Sequence, residues 1–159
     1  AQAYVNWLNE KRTSGSPYRL PTSDEWEVAA RAGTSTFYFW NDDEPDCARG
    51  ARRGANFLGC YPRPAKPATL PVGSFQPNAF GLYDMHGNVW EWCEDWYGSY
   101  IKEEKSILNP KGNNKGTDRI LRGGSWDSVE ESCNIVRRGD LAPVLRGRDS
   151  GFRIAASLK

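Results

Sequence analysis

The chain has 159 residues, 38% of them hydrophobic and 26% charged, enough to bury one core and too few for two domains of ordinary size. Its 21 Lys and Arg offset 20 Asp and Glu to a net charge of +1, so no global field draws nucleic acid and no like-charge block marks a tail. No apolar run approaches the roughly 20 residues of a membrane helix, and residues 1–11 lack the basic-then-apolar plan of a signal peptide. Neither nucleic-acid binding nor membrane insertion is expected.

The opening segment places Ala3, Val5, Trp7 and Leu8 on one helical face and ends in the turn Gly15-Ser16-Pro17, which predicts a short amphipathic helix. A second helix starts at Thr22, whose capping box closes on Glu25, carries Trp26, Ala29 and Ala30 as its apolar face, and stops near Gly33. Residues 34–76 are rich in Gly, Pro, Asp and Arg without a sustained period and read as long loops on a scaffold. Short apolar runs at 88–93, 119–122 and 151–155, bounded by Gly or polar residues, read as the core strands, and the Gly- and Asn-rich stretch 111–117 reads as a connection. Helices first, short strands later and much irregular chain between them predict a single α+β domain over residues 1–159 with a loop-rich surface.

Four cysteines, Cys47, Cys60, Cys93 and Cys133, have no C-x-x-C spacing and a single histidine, His86, beside them, which argues against a structural zinc site. Cys93 and Cys133, each following a core strand or turn near the candidate ligand face, are expected to approach each other. Pairing, and with it the redox compartment, stays open at this level.

A series of blocks then follows in order: Tyr18-Arg19-Leu20-Pro21-Thr22, Glu25-Trp26-Glu27, Ala29-Ala30-Arg31-Ala32-Gly33, Pro71-Val72-Gly73, Pro77-Asn78, Gly81-Leu82-Tyr83-Asp84-Met85-His86-Gly87-Asn88-Val89-Trp90-Glu91-Trp92, Arg122-Gly123-Gly124-Ser125-Trp126 and Gly151-Phe152-Arg153. The series resembles the formylglycine-generating-enzyme-like (sulfatase-modifying factor) domain family across nearly the whole chain. The resemblance implies a C-type-lectin-like fold with its amino-terminal strands reduced here or supplied by another segment. On this fold Trp90, Trp92, Trp126 and Phe152 are expected in the core, with the strands at 119–122 and 151–155 paired near them.

The resemblance also implies a structural calcium ion, held through the side chains of Asp84 and Glu91 and the carbonyls of Gly87 and Val89, since hard cations take oxygen ligands. The simpler reading has Asp84 capping its turn and Glu91 in a core hydrogen bond. The oxidases that the chain resembles bind copper(I) with two cysteines five residues apart, and the matching positions here are Ser128 and Cys133. A neutral hydroxyl is a hard ligand where that ion selects soft sulfur, so oxidation by this route is expected to fail. The alternative function is a formylglycine-generating-type oxidase, with Cys133 and Ser128 at its centre, or a related metal-dependent enzyme of sulfur chemistry. The iron-dependent sulfoxide synthases take their histidines from a separate helical domain, which a chain with one histidine does not supply.

A third branch of the same fold is the variable proteins of diversity-generating retroelements, in which a variable segment displays a binding surface. The matching segment is 127–150, with Cys133, Arg138, Pro143 and Arg146 as fixed landmarks. Between them stand Gly139, Asp140, Leu141, Ala142, Val144, Leu145, Gly147, Arg148, Asp149 and Ser150, all types reachable from an Asn codon by changing its adenines. Leu141, Val144 and Leu145 lie between arginines in an expected surface loop, and exposed apolar groups of this kind mark interfaces. The expected function is therefore non-catalytic binding of a protein or other macromolecule. The ligand-binding residues are expected to be Trp126, Asp127, Ser128, Asn134, Asp140, Leu141, Val144, Leu145, Arg148 and Asp149.

Overall fold

A computed structural model describes residues 1–48, 54–60, 66–98 and 115–157. The first four residues of the expected 111–117 connection lie outside this set. Helix α1, Gln2–Glu10, forms where expected, but of its apolar face only Val5 is fully buried. Helix α2, Ser23–Arg31, opens with the capping box Thr22/Glu25 and ends at Ala32 in the left-handed region at φ 46°, with Gly33 following. Strand β1, Tyr18–Arg19, between the helices, pairs antiparallel with β6, Ala155–Ala156, and ties the two ends of the described chain together.

The main sheet holds β2, Trp90–Trp96; β3, Arg119–Arg122; β4, Arg138–Leu141; and β5, Ser150–Gly151, in the order β4-β3-β2-β5. β2, β3 and β4 run antiparallel, and β5 joins β2 in parallel, Trp90 opposite Ser150. The 119–122 and 151–155 segments thus do not pair with each other. The first lies between β2 and β4, and the second begins in β5 and ends in β6.

Along β2 the alternation is the reverse of the one expected. Glu91, Cys93 and Asp95 face inward and are buried, while Trp90, Trp92 and Trp96 are half-buried on the opposite face. Period-two geometry permits only one of these sets under α2. That place is taken by Trp26, whose ring packs with Ala30, Met85, Cys93, Ile120 and Ile135 as the main core. Phe152 keeps 36% of its surface exposed and meets the Tyr4 ring of α1 at 5.7 Å, whereas Trp126 is buried as expected.

The inward carboxylates and the buried guanidinium each find partners. Ser23 N–H, in the first turn of α2, donates to Asp95 at 2.5 Å, and Trp26 Nε1 donates to Glu91 at 2.6 Å. Arg122, fully buried in β3, donates to the carbonyls of Ile135 and Arg137 at 2.9 and 3.0 Å and to the Glu27 carboxylate of α2. One guanidinium therefore fixes α2, β3 and the chain entering β4 relative to one another.

Candidate functional site

Asn88 sits in the left-handed region at φ 67° and clamps three loops. Its N–H donates to the Asn56 carbonyl at 2.8 Å, its carbonyl accepts from Trp126 N–H at 3.0 Å, and its side-chain oxygen accepts from Leu70 N–H at 2.9 Å. Gly87, beside it at φ 72°, admits no side chain, because a Cβ would stand 2.3 Å from the Asn56 carbonyl oxygen. This clamp carries the start of the candidate segment. The chain after Asn56 continues to Leu58, whose N–H donates to the Ser128 carbonyl at 2.9 Å.

The segment is only partly a loop. Asp140 and Leu141 belong to edge strand β4, opposite Ile120 and Arg119, which the irregular composition of 127–150 did not signal. Asp127, Asp140, Val144, Leu145 and Arg148 are exposed, Ser128, Asn134, Leu141 and Asp149 are half-buried, and Trp126 is buried. Asn134 lies apart, in a shallow hollow with Tyr97, Val136 and Arg138. Arg148 bonds Asp127 at 3.0 Å and lies 4.9 Å over the Trp126 ring, which joins the two ends of the segment.

Val144 and Leu145, 85% and 54% exposed, form one wall of a cleft of about 790 Å³. Leu20, Trp92, Pro143 and Phe152 complete its apolar lining, and Glu94, Arg119 and Arg146 supply charge. The outward placement of Trp92 and Phe152, which the core expectation missed, makes this cleft.

Ser128 and Cys133 are spent on structure. Ser128 Oγ accepts from Trp90 Nε1 at 3.0 Å and meets Ser125 Oγ at 2.9 Å. Cys133 is buried in a second cluster with Ala55, Phe57, Trp40, Cys47 and Cys60, and burial pushes its thiol up to about 12. A thiol so placed carries almost no thiolate at neutral pH, and thiolate is both the nucleophile and the soft ligand. The pair does not fit copper(I). Cys93 and Cys133 are both free thiols, Cys93 in the Trp26 cluster and Cys133 in the second one, so no disulfide joins them. The disulfide instead joins Cys47 to Cys60, with Cα atoms 5.0 Å apart.

At the expected calcium ligands, Glu91 Oε2 accepts from Trp26 Nε1 and from Arg153 Nε at 2.5 Å, and Oε1 accepts from Arg153 Nη2 at 2.6 Å. Asp84 accepts from Gly73 N–H at 2.8 Å, and the Gly87 carbonyl accepts from Val89 N–H at 3.0 Å. Glu91 is neutralised by a guanidinium, and among the described residues no three His, Cys, Asp or Glu gather to hold an ion. As they stand, Asp84, Gly87, Val89 and Glu91 do not fit calcium. Arg153, quoted in its block without a role, is the residue that the sequence reading missed here.

Two short helices against a small mixed sheet, with a loop-rich outer face, define an α+β domain of the C-type-lectin-like class. Residues 1–158 match the sulfatase-modifying factor enzyme 1-like domain, and the chain belongs to that family. It is 34% identical to the formylglycine-generating enzyme of Thermomonospora curvata over 168 residues, 98% of this chain and 52% of that one. Among solved structures, PvdO from Pseudomonas aeruginosa superposes with a TM-score of 0.79 at 34% identity, covering 98% of this chain and 58% of its own. Variable protein 1 of Treponema denticola gives 0.74 at 34% identity, covering 89% and 48%. The chain spans about half the length of these relatives.

Proposed function

We propose that this domain binds a protein or peptide through the 127–150 segment and performs no oxidation of its own. The observation that carries the reading is the exposure of Val144 and Leu145 together on the wall of the 790 Å³ cleft that Trp92 and Phe152 also line, which gathers apolar surface at one concave place. The likeness to a variable protein supports it, as does a Cys133 thiol kept protonated by burial beside a serine rather than a second cysteine. Clamped by Asn88 and Arg122, the scaffold tolerates change in the displayed residues because their side chains hold little of the core.

The test is selection of binders from a displayed peptide library against the purified chain, followed by Val144→Asp and Leu145→Asp. Both variants should keep the melting temperature and lose the selected binders, since central desolvated groups carry most interface energy. Binders indifferent to both substitutions would overturn the reading. The rival reading, favoured by relatives that are formylglycine-generating enzymes, predicts oxygen consumption with a thiol-bearing peptide above a Cys133→Ala control.

A further inference from the structure

We propose that Trp126 and Arg148 form a receptor for a carboxylate on the bound peptide, an Asp or Glu side chain, with Asp127 as its built-in competitor. The inference rests on the binding role given above to the 127–150 segment and names the chemistry that this segment selects.

Trp126 is 5% exposed, and its Nε1–H has no hydrogen-bond partner. Two other buried side-chain atoms among the described residues share that condition, Arg12 Nε and Arg122 Nε, but each belongs to a guanidinium with further donors. Indole has one donor. Buried indoles nearly always use it, so an idle one beneath a displayed segment is a donor kept for something else.

The group over that ring is itself exposed and held at one point. Arg148 lies over Trp126 with its side chain 76% exposed, and it bonds Asp127, itself 40% exposed, through Nη2 alone. An exposed, one-point ion pair contributes little to stability, and the forked guanidinium prefers a two-point carboxylate. A visiting carboxylate can take the fork, draw Arg148 off the ring and accept from Trp126 Nε1–H as well. It would replace one weak internal contact with donors that have nothing else to do. Asp127 is already a carboxylate on this arginine, which shows the chemistry that the position accepts. The nearby acidic residues Asp127 and Asp149 favour a singly charged visitor over a phosphate.

The measurement follows the Trp126 indole proton in nitrogen–proton correlation spectra of the full chain, assigned by its loss in Trp126→Phe. A blocked peptide containing Glu should move that resonance downfield and saturate, while the same peptide with Gln should not. Asp127→Asn should tighten Glu-peptide binding several-fold by removing the competitor, and Arg148→Gln should weaken it about tenfold, the order of one lost charge-assisted bond. Melting temperatures should stay unchanged in both, because these groups are on the surface. No shift in the wild type and in Asp127→Asn, or weaker binding in Asp127→Asn, overturns the proposal. Acetate matching the peptide's affinity overturns the peptide assignment in favour of small carboxylates. Selected binders that depend on Val144 and Leu145 yet lack an acid and ignore Arg148→Gln would sink this inference alone. Binders indifferent to Val144 and Leu145 would sink the broader reading, whatever Trp126 does.

Discussion

His86, the chain's single histidine, is a core residue. Its Nδ1 donates to the Cys133 carbonyl at 2.8 Å and its Nε2 accepts from Phe39 N–H at 3.3 Å, within a cage of Tyr38, Phe39 and Trp40 rings. Burial holds its pKa down at about 4, from 6.5. The folded ring stays neutral where the unfolded one takes a proton. Its contribution is therefore complete above pH 6.5 and lost as pH falls toward 4, by about 3 kcal/mol. Urea unfolding across that window should show His86→Gln, less stable at neutral pH, with a shallower loss on acidification than the wild type; parallel slopes would remove the claim. The Glu91–Arg153 pair makes a second test at this scale. Arg153→Met leaves a buried carboxylate unpaired and should cost about 3–5 kcal/mol, part of which Glu91→Gln in the same chain should restore.

Strand β2 shows which parts of the fold were legible from the residues. The capped helix α2 was readable because Thr22, Glu25 and the stop near Gly33 are local signals whose chemistry acts within one turn. The facing of β2 was not, because alternation fixes that Trp90 and Trp92 share a side but not which side meets α2. That choice depends on Trp26 and Ser23 supplying donors to Glu91 and Asp95, partners 65 and 72 residues away. β4 was missed for a similar reason, since Arg138-Gly139-Asp140-Leu141 has no strand pattern and is held by its register with β3. The Cys47–Cys60 bridge was equally silent, four cysteines allowing three pairings. Yet it secures the element that reaches Ser128 through Leu58. Replacing both cysteines by serine should lower unfolding stability by roughly 3 kcal/mol, as a closed loop of this size implies. Amide exchange should quicken at Leu58 before it does at Ile120. A wild type whose stability is indifferent to reductant would show that the bridge contributes nothing.

At the scale of the molecule, the candidate face rests on a frame joined by buried polar groups. Arg122 joins α2 to the sheet, Arg153 joins the chain after β5 to Glu91 on β2, and Asn88 gathers the loops, so each junction already has a partner for every charge. Calcium at Asp84, Gly87, Val89 and Glu91 would have to displace Arg153 from a buried carboxylate, leaving a mostly buried guanidinium without its counter-charge. That exchange is unfavourable, because truncating or diverting one member of a buried pair strands the other. A ligand confined to the folded state raises stability by RT ln(1 + [L]/Kd), so even a weak site announces itself at saturating concentrations. Millimolar calcium against chelator is therefore expected to leave the melting temperature of the wild type unchanged. In Arg153→Met, by contrast, Glu91 loses its cation and becomes free to accept another, and calcium should recover part of the lost stability. A rise of several degrees in the wild type would mean that the four oxygens can be turned to a metal after all, and that Arg153 is a stand-in for it.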